Sequence, residues 1–460
     1  MAHHFANEFP SRLLMWQRVR EYAVPPSMIE TATARRAVGD WAGACAAARI
    51  DVDLDLRAVG RRHGTGLVTR LRADLRLLAP DLLRWHMPRS APDGLLRPGL
   101  TVCLARYPGS GSGDAPLQLV VRTPPAWADA GQRMSLALWD GSGNDDPGHH
   151  PHPHPDRRFR LDLHRHLWDA GRSGELGSRC AAGDDSPWAV ARWAAEAELL
   201  LRAEGQSPRG AFTVRLAARS SAVLELVAPD DSHAPMLREA PPPREVAALP
   251  VLPEAAARVL PDLELLDAGL ITIGRLHPLV APALAPFGTM TPALGAQPGS
   301  RDPHRVECRG EVHRIAPRDG VLTAVDHDAD QLRREELLVA LGGPPLPCLR
   351  AIDAVHRSPE ALPAVRERLG HGDVAGALAV VEGLLGPGAV LRDGPLREAL
   401  ESAVTRRIDH GLFRSGLVAV HPAAGVDRAS QGRPRPDLRM PRAMRRKRGS
   451  LTRPRYALTG

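Results

Sequence analysis

Arg305–Cys348, RVECRGEVHRIAPRDGVLTAVDHDADQLRREELLVALGGPPLPC, packs short strand-type runs, a turn, a capped charged helix and the tightest Cys/His grouping of the chain into 44 residues. Val306 and Cys308 alternate with Glu307 and Arg309, then Val312 and Ile315 flank His313 and Arg314. Arg318-Asp319-Gly320 is a turn signal, because Asp-Gly readily supplies positive φ. Val321–Val325 is another strand-type run. Asp326 or Asp328 can cap a helix, and Gln331 sits three residues after Asp328, close to a capping box. That helix is predicted to run to Leu341 and to stop at Gly342-Gly343, before Pro344 and Pro345. The pattern is a small β-meander feeding one helix.

Working outward, helices are predicted at 347–357, 360–369 and 373–385, which completes a module over 305–415. Upstream lie a helix and irregular connector (251–304) and a Pro-rich linker (229–250), with three prolines at 241–243. Residues 95–228 read as one antiparallel α+β domain, a central sheet carrying a helix. Thr101–Ala105, Leu117–Val121 and Met134–Trp139 are its strand-type runs. Phe159, Leu161 and Leu163 alternate with Arg158, Arg160, Asp162 and His164, the signature of a half-buried strand with His164 and His166 facing solvent. Ser186 and Pro187 suit the N-cap and first position of a helix with Arg192/Glu196 and Glu198/Arg202 pairs outside. A hairpin follows, with Leu216 opposite Leu224, Arg215 opposite Glu225 and the turn near Ser220. Residues 1–92 read as helical. Thr31–Ala48 holds two short helices broken at Gly39-Asp40, and Leu67, Leu71, Leu75 and Leu78 form a stripe. Trp85 is expected in the core, with His86 partly buried beside it. From 422 to 460 periodicity is lost, and a disordered Arg-rich tail is expected. The fold class is therefore α+β, with an N-terminal helical region.

At 460 residues the chain has room for two or three domains. Its net charge of +7 is a property of the tail: residues 431–460 carry +9 and the rest −2. Five cysteines, odd in number and without Cys-x-x-Cys, fit a reduced cytoplasmic setting rather than a disulfide framework. The N-terminus lacks a signal-peptide pattern, and no apolar run of about 18 residues suits a membrane span. Lys447 is the sole lysine, which removes a P-loop and argues strongly against a kinase core or a lysine Schiff base. His-Glu-x-x-His, Gly-x-Ser-x-Gly and Gly-x-Gly-x-x-Gly are absent too.

The sharpest candidate for chemistry is Cys308, His313, His327 and Cys348, since thiolates and imidazoles are ligands zinc takes. Their spacings of 5, 14 and 21 match no standard zinc pattern, and the competing reading is satisfied core and surface residues. On the meander, Cys308 is expected to face the core and His313 to face out. Asp326 and Asp328 beside His327 could orient an imidazole for general-base work, although helix capping explains the same aspartates with fewer assumptions. His149, His150, His152 and His154 form a weak metal-binding composition in an extended loop. In the tail, Arg442, Arg445, Arg446, Lys447, Arg448, Arg453 and Arg455 suit phosphate backbones through counterion release, and equally an acidic protein or an anionic membrane surface.

Two pieces carry resemblances. HGDVAGALAVVEGLLGPGAVLRDGPLREAL (371–400) resembles one degenerate ankyrin repeat, with Gly372-Asp373 at the helix start, Leu384-Leu385 at its end, Arg392-Asp393-Gly394 at the turn and Pro395-Leu396 opening a second helix. It lacks the Thr-Pro-Leu-His signature. The order CRGEVHR, DGVLTAVDHD, RREELLVALGG resembles an uncharacterised actinobacterial protein family, some members of which carry ankyrin repeats. Both resemblances imply partner binding more than catalysis. The leading expectation is a non-catalytic cytoplasmic scaffold with an unknown protein partner and no cofactor. The alternatives are nucleic-acid association through the tail, and a metal-dependent enzyme or zinc-stabilised module around Cys308, His313 and His327.

Overall fold

Leu67, Leu71 and Leu75 recur at helical spacing, and the helix Thr65–Leu77 buries all three, with Leu78 buried just beyond its end. Each such leucine contributes about 1.5–3 kcal/mol on burial, so the stripe anchors this end of the chain. The computed structural model describes residues 2–108, 116–141, 154–180, 186–207, 209–217, 220–227, 233–239, 241–287, 305–308 and 310–416. They form a mixed α+β protein of two units. One comprises residues 1–129, 133–293 and the chain from Leu412; the other comprises 294–411 with Ala130–Gln132.

In the first unit, the helices Pro26–Ala37 and Trp41–Ala47 break where expected. Gly39 takes φ +75°, and the Asp40 carboxylate accepts a hydrogen bond from the Gly43 N–H at 2.8 Å. Next comes β1 (Ile50–Asp53), a strand that the helical reading of residues 1–92 missed. It runs parallel to β4 (Met134–Trp139), which pairs antiparallel with β3 (Leu117–Arg122), and β3 with β2 (Thr101–Tyr107). One apolar core takes in Val19, Leu71, Trp85, Val102, Leu136, Trp168 and Val280. The expected boundary between residues 1–92 and 95–228 is therefore absent. Between the two ranges lies a tight hairpin, Arg89–Ser90 against Leu95–Leu96.

Three further readings are corrected. Residues 156–168 turn repeatedly, with Phe159 N–H donating to Asp156 O and His164 N–H to Leu161 O, so strand alternation does not hold. His164 and His166 are consequently 2% and 4% exposed. The helix read from Ser186 begins as a 3-10 turn at Val190 and becomes α-helical over Trp193–Ala203, and its Glu196 is buried, not outside. The hairpin of β5 (Ala211–Ala217) and β6 (Ser220–Glu225) pairs Phe212 with Leu224 and Arg215 with Ser221. That is four residues from the expected register. An even slip keeps the same faces inward, and it lets Phe212, the largest side chain of the pair, take the core position.

This hairpin, the helix Trp193–Ala203 and residues 252–257 make a second, smaller core. Residues 250–252 return to β5, the Thr213 N–H donating to Pro250 O and the Leu252 N–H to Thr213 O, both at 2.8 Å. The single sheet expected over 95–228 is thus two sheets, and the Pro-rich run 229–250 does not end the unit. No helix among the described residues is long and apolar enough to cross a membrane.

The second unit opens with β7 (Arg305–Cys308), β8 (Glu311–Arg318) and β9 (Val321–Ala324), an antiparallel meander in sequence order. Asp319 and Gly320 both take positive φ, as the Asp-Gly signal requires. Asp328 caps the helix Ala329–Ala340 by accepting from the Asp330 N–H at 3.3 Å. Helices Pro347–Arg357, Leu362–Gly370, Val374–Leu385 and Pro395–Arg414 follow. Their apolar faces meet Ile315 and Leu322 of the meander in one core.

Candidate metal centre

Beside that core lies a much smaller apolar cluster whose fully buried members are Cys308, Ala324, Leu332 and Cys348. Two of the four are thiols. Cys308 is the last residue of β7, Cys348 the second residue of the helix Pro347–Arg357, and His327 lies in the turn between β9 and the helix Ala329–Ala340. Three separately positioned elements thus converge, and the donor atoms of Cys308, His327 and Cys348 all lie within 4.8 Å of one another. In a zinc tetrahedron with Zn–S of about 2.3 Å, neighbouring donors stand about 3.5–3.8 Å apart. The three need close by no more than about an ångström.

His327 Nδ1 lies 3.3 Å from the backbone carbonyl of Asp328, a group that can only accept, which suits Nδ1–H as donor and Nε2 as the nitrogen offered to a metal. Burial, the hydrogen bond and charge of Cys308, and the charge of Glu335 push the Cys348 thiol up to about 12. A coordinated cation reverses that balance, because a metal-bound thiol is deprotonated outright. Two soft sulfurs and one imidazole fit zinc better than magnesium or calcium, which take oxygen ligands.

His313 does not face solvent as expected. It pairs with Val306 across the sheet and shares the inward face of β8 with Ile315, so it is 6% exposed while Val312 is 60% exposed. Val312 and Ile315 stand three apart and cannot share a strand face, and the core took Ile315. His313 lies outside the mutual set of three donors, but its ring centroid is 4.4 Å from that of His327, at 36°. Its Nε2 is 3.9 Å from Glu311 Oε2. Glu335 was missed in the sequence. It follows Leu332 by three residues, which puts it on the buried side of its helix, where Gln331 donates to it at 3.3 Å. The Asp328 carboxylate caps the helix, Oδ1 accepting from the Asp330 N–H.

His149, His150 and His152 lie outside the described residues, as do Arg442, Arg445, Arg446, Lys447, Arg448, Arg453 and Arg455. His154 is described and exposed, its ring 5.9 Å from that of Trp139. No protein-family model, curated protein or solved structure matches this chain.

Proposed function

We propose that this chain is a partner-binding scaffold whose module 305–411 is held in shape by zinc at Cys308, His327 and Cys348. The observation that carries the reading is the convergence of three soft donors from β7, the turn after β9 and the helix Pro347–Arg357. Zinc bound there would crosslink β7, the turn after β9 and the helix Pro347–Arg357 beside the larger apolar core that joins the meander to the helices.

Partner binding is supported by the helix Ala329–Ala340, which buries Leu332 and Glu335 on one side. Its other side presents Leu337 and Leu338, with Leu341 just beyond its end at 86% exposure. A contiguous apolar stripe of this kind marks an interaction surface. The ankyrin-like segment 371–400 is part of the same proposal. The test is affinity capture from native lysate with the full chain, beside Cys308→Ser and Leu338→Glu/Leu341→Glu variants. A partner lost with both variants supports the reading; a partner retained by both refutes it.

Nucleic-acid association is the second reading, favoured by the +9 charge of residues 431–460. It predicts binding that falls steeply with salt and disappears in a chain ending at Ser430. Indifference to that truncation would rule it out.

A further inference from the structure

We propose that the helices Leu56–His63 and Thr65–Leu77 of the first unit carry a cationic face that grips the phosphate backbone of a nucleic-acid duplex without reading its sequence. Residues 56–77 hold six arginines and one acid, whereas residues 1–430 as a whole carry −2. The two helices meet at Gly64, which takes φ +85°. A Cβ on Gly60 would stand 3.4 Å from the Val68 side chain, so they pack directly on each other.

Arg57, Arg61, Arg62, Arg70, Arg72 and Arg76 are all exposed. The carboxylates within and beside the stretch are already engaged. Asp74 Oδ2 accepts from the Tyr107 hydroxyl at 2.7 Å, and its Oδ1 accepts from Arg165. Asp140 pairs with Arg62 at 3.1 Å. Asp55 caps the helix Leu56–His63 by accepting from the N–H groups of Arg57 at 2.8 Å and Ala58 at 3.0 Å, and it also interacts with the charges of Arg61 and Arg57. Arg70, Arg72 and Arg76 form no ion pair among the described residues. Arg72 and Arg76 stand four apart, a like-charge spacing that weakens a helix. The fold gains nothing from that spacing, and a polyanion laid against it would.

The shape of the face selects a duplex. Around the helix Thr65–Leu77, at 3.6 residues per turn, Arg72 and Arg76 flank one side of a strip of Gly66, Thr69 and Ala73, and Arg70 flanks the other. Side chains this small let a phosphate backbone come close, with guanidinium groups on either hand. Guanidinium donates two parallel hydrogen bonds to phosphate oxygens. Thirteen residues of helix span about 20 Å, a length over which a duplex presents about a dozen phosphate charges. An anionic bilayer fits less well, because a helix lying on a membrane needs a free apolar side. Here Leu67, Val68, Leu71 and Leu75 are buried, and Leu77 is the one large apolar residue exposed on the two helices. The face is separate from residues 431–460, and its contacts add to any that they make.

The test titrates the full chain with a mixed-sequence DNA duplex of about 20 base pairs over a range of salt concentrations. Each phosphate contact contributes about 0.9 to the slope of log K against log salt, so Arg70→Gln/Arg72→Gln/Arg76→Gln should lower that slope by about 2–3. Arginine and glutamine have similar helix propensity and the three positions are exposed, so the variant keeps its fold, which circular dichroism checks. Arg333→Gln/Arg334→Gln/Arg350→Gln removes the same charge from exposed positions of the second unit and should leave the slope as in the wild type. Residues 431–460 are common to all three proteins. A wild-type slope in the folded first variant overturns the proposal, and so does an equal fall in both variants, which would make binding a matter of net charge. Failure of the full chain to bind the duplex overturns it too. So does binding to phosphatidylserine vesicles that only the first variant loses while duplex binding is unchanged.

Discussion

Arg20 and Asp262 are joined across 242 residues of chain by two hydrogen bonds, Nε to Oδ1 at 2.9 Å and Nη2 to Oδ2 at 2.7 Å. Both side chains are almost wholly buried. Trp85 Nε1 donates to the same Oδ1 at 3.0 Å, and Arg20 Nη1 donates to the Trp85 carbonyl at 2.8 Å. Breaking such a pair strands a buried charge, which costs about 3–5 kcal/mol. Asp262→Ala should lower the stability of the first unit by that amount. All eight tryptophans lie in this unit, so tryptophan fluorescence during urea unfolding reads it alone. Arg20→Met/Asp262→Leu should recover much of the loss, since an apolar pair of similar volume leaves no charge behind.

The first unit should lose stability in mild acid. Burial, then the neighbouring His164, Arg179 and His86, lowers the His166 pKa from 6.5 to about 2, with Glu196 opposing; burial also drives His86 well below its usual value. Below pH 6.5 the unfolded chain takes up protons that the folded one refuses, so stability falls as pH drops, by up to about 1.4 kcal/mol per pH unit for each histidine. Glu196 acts in the same direction at lower pH. Its pKa of about 2 is set against burial by His164 and Arg179, so its contribution is lost as pH falls from 4.5 toward 2. Urea unfolding at pH 7, 6 and 5 should show the slope, and His166→Asn should remove one proton's share of it.

Gly386 and Gly383 should respond oppositely to alanine. Gly386 ends the helix Val374–Leu385 at φ +88°, and a Cβ there would stand 2.3 Å from the Gly320 carbonyl oxygen in the meander turn. Gly383 is inside the same helix with nothing within 4 Å of a new Cβ. Gly383→Ala should stabilise the second unit by about 1 kcal/mol, whereas Gly386→Ala should destabilise it by more than that. Resistance of residues 305–411 to limited proteolysis orders the three proteins.

His313→Ala should keep the zinc stoichiometry but weaken zinc binding by about ten- to a hundredfold, the usual cost of removing a side chain that supports a metal ligand. Competition with a chromophoric chelator measures it. Unchanged affinity would mean that the ring contact with His327 has no bearing on the site.

Local chemistry was legible where one residue carries the signal. Asp319-Gly320 gave the turn, Gly342-Gly343 the helix stop, and Gly39-Asp40 the break between two helices, because each is set by its own backbone. Pairings that depend on distant chain were not legible. The four residues of β1 are too short to outweigh helical surroundings, and their partner β4 begins more than 80 residues later. His164 looked like the polar side of a strand because alternation cannot be told from successive turns. Among the candidate ligands, Cys308, His327 and Cys348 were named from donor chemistry alone. The arginines of residues 57–76 did not stand out, since arginine is abundant throughout the chain and only the fold shows which of them meet a carboxylate.

The most direct measurement is elemental analysis of untagged, reduced protein purified without chelator, beside Cys308→Ser, His327→Ala and Cys348→Ser. A zinc-stabilised module predicts about one zinc per wild-type chain, retained on dialysis, and little in any of the three variants. Wild-type protein that stays free of zinc after loading and dialysis, or variants that hold zinc as the wild type does, would contradict it.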